Sequence, residues 1–116
     1  MDKIFIKDLR VNAILGIYPQ ERTTPQEVVV NVALYTDTRK AAQTDQIADC
    51  VDYEKTAHLL KTHIETAQRQ TVEALANDLA QLCLSLSGVQ GVYIRVEKTQ
   101  AVGFTAAVGV EIERWQ

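Results

Sequence analysis

The chain has 116 residues, with 12 Lys and Arg against 15 Asp and Glu, which gives a net charge of −3 at neutral pH. The 47% hydrophobic and 23% charged fractions are typical of a globular protein and exclude a disordered chain. The length predicts a single domain over residues 1–116. A pI near 5.3 argues against nucleic-acid binding through phosphate contacts. No apolar run approaches the roughly 18–20 residues that span a bilayer.

The N-terminal residues point to the cytoplasm, and the two cysteines say little about compartment. Charged residues interrupt the apolar ones within the first eight positions, which is unlike a signal peptide. Cys50 and Cys83 are too few for a disulfide framework. His58 and His63 lie on a predicted helix about 140° apart around its axis, the wrong spacing for two ligands of one metal ion. We therefore expect a cytoplasmic protein without a metal site.

The first predicted elements are two strands. Apolar residues alternate over 4–15, but the alternation slips by one residue near Lys7–Asp8, as it does at a β-bulge. Residues 16–26 contain Pro19 and Pro25 and predict a turn-rich connection. Residues 27–36 are rich in β-branched side chains with a period of two, which predicts a strand. The two strands are expected to pair as an antiparallel hairpin.

Two helices are predicted next. The polar segment 37–52 is expected to hold one helical turn around residues 39–42. Asp52 is a candidate N-cap for a helix with the apolar stripe Tyr53, Ala57, Leu60, Ile64 and Ala67. Thr71 is a candidate N-cap for a second helix whose apolar stripe runs from Val72 to Leu86, with Gly88 as its C-terminal stop.

Two further strands complete the predicted fold. Residues 91–98 alternate strictly, and a last strand passes through Val108, Val110 and Ile112. Because strands and helices occur in blocks, the order ββααββ predicts an α+β domain, with a four-stranded antiparallel sheet and two helices on one face.

Four ionisable residues lie at the ends of predicted elements: Glu21, Tyr53, Glu73 and Lys98. Element ends on a rigid scaffold are where functional sites tend to be built, although each residue alone is typical of a solvated surface. The apolar neighbours of Glu73 predict a partly buried carboxylate. Alternation along its strand places Lys98 on the same face as Val96, and a lysine on an apolar face hints at function.

These residues occur within an ordered set that extends along nearly the whole chain. The set comprises Gly16-Ile17-Tyr18 with Glu21 and Gln26, Arg39-Lys40-Ala41-Ala42, Thr44-Asp45, Val51-Asp52-Tyr53, Val72-Glu73-Ala74-Leu75-Ala76, Glu97-Lys98 and the segment 108–114. In this set the chain resembles the dihydroneopterin aldolase family, folate-pathway enzymes of the tunnelling fold.

The resemblance implies a reaction without a cofactor. Family members cleave 7,8-dihydroneopterin by a retro-aldol reaction into 6-hydroxymethyl-7,8-dihydropterin and glycolaldehyde, and they use neither a Schiff-base lysine nor zinc. Members also commonly epimerise the substrate to dihydromonapterin, because cleavage followed by re-addition can invert C2′.

The resemblance also implies roles for pterin-binding residues. Glu73 matches the glutamate that anchors the pterin, and a carboxylate can accept two parallel N–H bonds from the 2-amino and ring N–H edge. Val72 and Leu75 match residues that help to line the ring slot.

The implied catalytic residues come from two subunits. Lys98 matches a lysine that acts through a water in proton transfer at the side-chain hydroxyl, and Glu21 matches the residue that completes this network. Tyr53 matches a tyrosine that assists protonation of the enol intermediate, and it comes with the main chain of Val51 from the neighbouring subunit. The family assembles into tetrameric rings with a central barrel, often stacked as octamers.

One departure and three alternatives stay open. Thr99-Gln100 follows the lysine where many members carry a proline, which leaves the preferred triol substrate open. A dihydroneopterin triphosphate epimerase needs several basic groups near the pocket, and besides Lys98 the site segments offer Arg22 and Arg69. A non-catalytic pterin- or purine-binding module needs Glu73 alone, and a purely structural ring protein needs none of these residues.

Overall fold

Four strands pair in chain order, β1-β2-β3-β4, into one antiparallel sheet in the computed structural model, which describes residues 1–116. The elements follow the order β1 (Asp2–Ala13), α1 (Pro19–Thr23), β2 (Gln26–Thr36), α2 (Arg39–Thr44), a 3₁₀ turn (Ile47–Asp49), α3 (Tyr53–Ala67), α4 (Val72–Leu84), β3 (Gly91–Lys98) and β4 (Val108–Trp115). The predicted antiparallel sheet is confirmed. None of the helices is long and apolar enough to cross a membrane.

The predicted bulge in β1 is confirmed. Pairing with β2 shifts between Ile6 and Leu9, and Asp8 adopts a left-handed backbone with φ 53°. The amide of Asp8 donates to Oδ1 of Asn31 at 2.8 Å, and Nδ2 of Asn31 donates to Oδ1 of Asp8 at 3.2 Å. These reciprocal bonds satisfy groups that the interrupted ladder leaves unpaired.

One face of the sheet carries the core. The even-numbered residues from 28 to 36 on β2 and from 92 to 96 on β3 are buried, and α3 packs against β1 while α4 packs against β3 and β4. The core residues on β2, α3, α4 and β3 include Val30, Leu34, Leu60, Ile64, Leu75, Leu79, Ile94 and Val96. The two long helices therefore lie on one face, as predicted. Cys83 is buried among them, and burial raises the pKa of its thiol to about 12, whereas Cys50 is exposed.

Both predicted helix caps are confirmed. Oδ1 of Asp52 accepts from the amide of Lys55 at 2.9 Å, and Oγ1 of Thr71 accepts from the amide of Ala74 at 3.1 Å. The predicted apolar stripe of α3 is buried at Leu60 and Ile64, whereas Tyr53 is exposed and Thr56 is the first buried residue of the helix.

The predicted end of α4 is also wrong. The helix ends at Leu84, and Gly88 belongs to a separate turn in which it adopts φ 85°. The carbonyl of Gly88 accepts a hydrogen bond from Oγ1 of Thr36 at 2.7 Å. This bond ties the turn to the end of β2.

Two short helices add to the predicted pair. The helical turn expected around residues 39–42 is present as α2. The connection between β1 and β2, predicted as turns alone, contains α1, which starts at Pro19. Proline is favoured in the first helical turn because its φ is already helical and the missing N–H needs no partner there.

Candidate active site

A cleft of about 480 Å³ opens at the end of the sheet where β2 begins and β3 ends. Its walls come from α1, the start of β2 and the segment that follows Lys98. Polar side chains that line it include Glu21, Gln26, Lys98 and Gln100, and the apolar lining includes Pro25 and Val108.

Two of the predicted site residues meet directly in this cleft. Nζ of Lys98 lies 2.6 Å from Oε2 of Glu21, and their side chains are only 15% and 13% exposed. Lys98 lies on the helix-covered face beside Val96, as the alternation predicts. The amino group of Lys98 on β3 therefore lies at the boundary between the core and the cleft, where it contacts the Glu21 carboxylate on α1.

The Glu21 carboxylate is held from three directions. Burial by itself raises its pKa, but hydrogen bonds from Lys98, from Nε2 of Gln26 at 3.1 Å and from the amide of Tyr18 at 3.3 Å outweigh burial, so the pKa is lower than the ordinary 4.5. Nε2 of Gln26 also donates to the carbonyl of Leu15 at 2.7 Å. Glu21 is therefore ionised at neutral pH and fixed in orientation.

Gly16 makes space for this carboxylate. It adopts φ 129°, and a Cβ atom at this position would overlap the carboxylate of Glu21. Glycine is required here for its backbone conformation and also for the close approach. Gly16 and Gln26 complete the support of Glu21. The sequence signal for Gln26 was a polar residue that opens β2 two positions before the buried run Val28–Val30.

Glu73 lies at the start of α4, on the same end of the molecule as Glu21. The two regions are joined where the amide of Gly16 donates to the carbonyl of Arg69 at 3.2 Å. The expected partial burial of Glu73 is wrong, since its side chain is exposed while Val72 is half-buried and Leu75 is buried. The neighbouring apolar residues of the first turn occupy the core-facing positions, which turns Glu73 outward.

Tyr53 and Val51 lie at the opposite end of the sheet. Val51 lines a second cavity of about 310 Å³ together with Thr36 and Cys50. Lys98 pairs with Val28, and Thr36 lies eight residues further along β2, or about 26 Å at roughly 3.3 Å per residue. A single chain therefore does not bring Tyr53 to the Glu21–Lys98 pair.

The two arginines considered for phosphate binding are already engaged. Nη1 of Arg22 donates to the carbonyls of Gly16 at 2.9 Å and Arg69 at 3.2 Å, and Nη2 donates to the carbonyl of Gln68 at 2.9 Å. Arg69 binds both oxygens of Asp78 at 2.8 and 2.9 Å, and Nε2 of His63 lies 2.8 Å from the same carboxylate. No group of three or more His, Cys, Asp or Glu side chains could hold a metal ion.

This arrangement points to a class of protein. A lysine–carboxylate pair that is shielded from solvent yet opens on a cleft is the kind of site that enzymes of acid–base chemistry use. Residues 4–113 match the family model described as FolB: Dihydroneopterin aldolase. The chain belongs to the dihydroneopterin aldolase family, and its activity is the aldolase reaction for which the family is named.

Individual relatives agree with this assignment. The dihydroneopterin aldolase of Escherichia coli strain K12 is 39% identical over 114 residues, which is 98% of this chain and 93% of that protein. The crystal structure of the Escherichia coli dihydroneopterin aldolase in complex with neopterin has a TM-score of 0.94 at 38% identity and covers 98% of this chain and 99% of that one.

Two further relatives mark the limits of the similarity. The folic acid synthesis protein FOL1 of Dictyostelium discoideum is 35% identical over 98% of this chain, but the chain spans only 17% of that protein. The dihydroneopterin triphosphate 2′-epimerase of Escherichia coli strain K12 is 25% identical over 97% of this chain and 93% of that protein, which is more distant than the aldolase of the same strain.

Proposed function

We propose that the chain cleaves 7,8-dihydroneopterin into 6-hydroxymethyl-7,8-dihydropterin and glycolaldehyde with the Glu21–Lys98 pair as its proton-transfer centre, and that it needs no metal ion. The observation that carries this proposal is the 2.6 Å contact between the two side chains at the inner end of the cleft. The Escherichia coli relative that was crystallised with neopterin supports a pterin as the ligand.

The proposed reaction moves one proton out and one proton back. A water held by Lys98 and Glu21 relays the proton of the 2′-hydroxyl to the Glu21 carboxylate, the C1′–C2′ bond breaks as the C2′ carbonyl forms, and glycolaldehyde leaves. The electron pair of the broken bond forms a C6–C1′ double bond while the C6=N5 pair moves to N5, which is protonated in the resulting enol and returns this proton when C1′ is protonated. Protonation at C1′ then gives the hydroxymethyl product, so atoms and charge balance.

The ion pair also supports a reaction without a Schiff base. A lysine that forms a Schiff base attacks a carbonyl with a free amine, whereas Nζ of Lys98 is engaged with the Glu21 carboxylate at 2.6 Å. In this proposal Lys98 orients and protonates, and it forms no covalent intermediate.

Glu73 is the proposed anchor of the pterin ring. Its carboxylate is exposed at the start of α4 and is free to accept two charge-assisted N–H bonds from the pterin edge. The first-turn amides near Val72 lack partners within the helix and are available to the pterin carbonyl. Leu75 is buried directly behind Val72 and supports this wall of the ring slot.

The remaining parts of the proposed site come from a neighbouring subunit. We place Tyr53 and the main chain of Val51 of one subunit against Glu73 and Lys98 of the next. The separation of about 26 Å along the strands within one chain supports this arrangement. The outer edges of β1 and β4 are unpaired, and pairing between subunits would close the sheets into a ring-shaped barrel of four copies, which can stack as an octamer.

Compartment and domain organisation are part of the same proposal. Cys50 and Cys83 are both free thiols, which suits a reducing compartment such as the cytoplasm. Residues 1–116 are proposed to act as one tunnelling-fold domain with no nucleic-acid or membrane partner.

The triphosphate epimerase alternative is weaker on this geometry. A triphosphate needs several free cationic groups, and the guanidinium groups of Arg22 and Arg69 are occupied by backbone carbonyls and by Asp78. Epimerisation of dihydroneopterin to dihydromonapterin remains part of the proposal as a side reaction, since re-addition of glycolaldehyde can invert C2′. A non-catalytic pterin-binding module would have no use for the Glu21–Lys98 pair.

The substrate assignment is tested by measuring glycolaldehyde release from dihydroneopterin and from its triphosphate, each with and without EDTA. We expect release from dihydroneopterin at a rate that EDTA leaves unchanged. Activity on the triphosphate alone, with the epimer as sole product, would overturn the assignment. A rate abolished by EDTA and restored by a divalent metal would overturn the metal-free mechanism.

The residue roles are tested by separating binding from turnover. Lys98→Ala is expected to lower kcat by about 10²–10⁴-fold, the range for a general acid or base, while neopterin still binds. Glu73→Ala removes two charged hydrogen bonds and is expected to weaken neopterin binding by about 10²–10⁴-fold. If both variants bound neopterin equally well in a fluorescence titration, the role assignment would be wrong.

A further inference from the structure

We infer that Arg22 is a positioning residue that holds the pterin-anchoring part of the site in register with the proton-transfer pair. The inference rests on the proposed roles of Glu73 and Glu21. Arg22 follows Glu21 directly in α1, and its side chain reaches away from the cleft to the connection between α3 and α4.

The guanidinium group joins three backbone carbonyls from two segments. It donates to Gly16, on the segment before α1, and to Gln68 and Arg69, which connect the two long helices. The amide of Gly16 donates to the same Arg69 carbonyl at 3.2 Å. Four hydrogen bonds, three of them from Arg22, therefore converge on this junction.

The short helix α1 depends on such polar contacts. It has five residues, none of which is buried, so the apolar core does not hold it in place. A helix of one turn is also unstable alone, because nucleation is costly and few bonds are gained. Glu21 ties α1 to the end of β3 through Lys98, and Arg22 ties it to the connection between α3 and α4.

The connection that Arg22 binds is itself constrained. Gln68 ends α3 in a left-handed conformation with φ 51°, which is uncommon for a residue other than glycine. The carbonyls at a helix C-terminus carry partial negative charge, so a cation there is favourable. Arg22 supplies this charge from a different element and stabilises the left-handed end.

The position of Arg69 sets the position of Glu73. Only three residues separate them, and Thr71 caps α4 within that interval. Loss of the Arg22 contacts would let the first turn of α4 shift relative to α1. The pterin ring would still bind to Glu73, but the hydroxylated side chain of the substrate would be misplaced relative to Lys98. A shift of about 1 Å can cost roughly 100-fold in rate.

Arginine is required for this role because two of its nitrogens donate at once. Lysine has one nitrogen on a flexible stem and cannot reproduce a planar fork that bridges two segments. Arg22→Lys should therefore restore part of the function that Arg22→Ala loses.

The test compares kcat with neopterin affinity in Arg22→Ala, Arg22→Lys and the charge-matched control Arg10→Ala. Arg10 pairs with Glu27 on the opposite face of the sheet, and its side chain is largely exposed. We expect kcat to fall about 10–100-fold in Arg22→Ala and by less in Arg22→Lys, with neopterin dissociation constants within about threefold of the wild type. Arg10→Ala should match the wild type in both measurements.

Two results for folded Arg22→Ala would overturn the inference. One is a kcat within twofold of the wild type, and the other is a loss of neopterin affinity as large as the loss of kcat. If Arg22→Ala fails to fold, Arg22→Lys decides, because wild-type turnover in that variant contradicts the need for a fork. Lys98→Ala and Glu73→Ala are measured alongside. If Glu73→Ala binds neopterin normally, the proposed function has failed. If the Arg22 variants have wild-type kcat while Lys98→Ala and Glu73→Ala show the expected effects, this inference alone is rejected.

Discussion

Replacing Lys98 by Met should destabilise the protein by an amount that the burial of the ion pair determines. The substitution keeps an apolar stem of similar length but leaves the Glu21 carboxylate without its cation. Exposed pairs contribute about 0–1 kcal/mol, and removal of one partner from a buried pair costs about 3–5 kcal/mol. The Glu21 and Lys98 side chains are 13% and 15% exposed, and Glu21 keeps its bonds from Gln26 and Tyr18. We therefore expect a loss of about 2–3 kcal/mol in the free energy of unfolding.

Urea denaturation at one fixed protein concentration measures this loss, because assembly would make stability depend on concentration. Lys40→Met is the matched control. Lys40 pairs with Asp49 at 3.3 Å, but its side chain is 77% exposed, so its loss should cost at most about 0.5 kcal/mol. The double variant Glu21→Gln with Lys98→Met should be more stable than Lys98→Met alone, since no uncompensated carboxylate remains.

The stability lost in Lys98→Met should also depend on pH, in a direction that the pKa of Glu21 sets. The pKa of Glu21 is lower in the folded protein than its ordinary value of 4.5, so its contribution to stability is present above that value and is lost as the pH falls through the folded pKa. The stability difference between wild type and Lys98→Met should be largest near neutral pH and should narrow below about pH 4.5. A difference that stays constant down to pH 3, or a loss no greater than that of Lys40→Met, would refute the reasoning.

Two other substitutions test the supports of the site. Gly16→Ala should lower the free energy of unfolding by about 2 kcal/mol or more, because it combines an unfavourable φ with an overlap on the Glu21 carboxylate, and it should also lower kcat. Gly103→Ala is the control, since a Cβ there meets no atom within 4 Å, and it should change neither quantity. Equal urea midpoints for the two glycine variants would contradict this account. Thr71→Ala should cost about 1 kcal/mol through loss of the α4 cap and should raise the KM for dihydroneopterin through Glu73, whereas Thr71→Ser should restore both. An unchanged KM in Thr71→Ala would separate the cap from the site.

The sheet was predictable because its signals are local and periodic. Alternation in β2 and β3 follows directly from burial of one face, and the slip near Lys7–Asp8 marked the bulge since a one-residue insertion reverses the alternation. The caps at Asp52 and Thr71 were predictable for the same reason, because each depends on a single side chain and an amide three residues later.

The short helix α1 and the exposure of Glu73 were not predictable from local patterns. The prolines around α1 signal a turn, and what stabilises it as a helix is a set of long-range polar contacts from Glu21 and Arg22. The apolar neighbours of Glu73 predicted burial, but Val72 and Leu75 take the positions that face the core, so Glu73 is exposed.

The positions of the candidate site residues were also predictable only in part. The order of elements brings Glu21, Glu73 and Lys98 to one end of the molecule, and the direct contact between Glu21 and Lys98 required the structure. Tyr53 lies at the far end, and a single chain holds no partner for it in the cleft. This separation is the observation behind the proposal that the site is shared between copies.

Mixing two inactive variants tests that shared site most directly. Lys98→Ala subunits retain Tyr53, and Tyr53→Phe subunits retain Lys98, so each variant alone should have little activity. After unfolding and co-refolding in equal amounts, random assembly places an intact Lys98 beside a neighbour's intact Tyr53 in about a quarter of the sites, and roughly a quarter of the wild-type glycolaldehyde release should return. If the mixture is no more active than the separate variants although mixed oligomers have formed, the two residues do not act together across subunits.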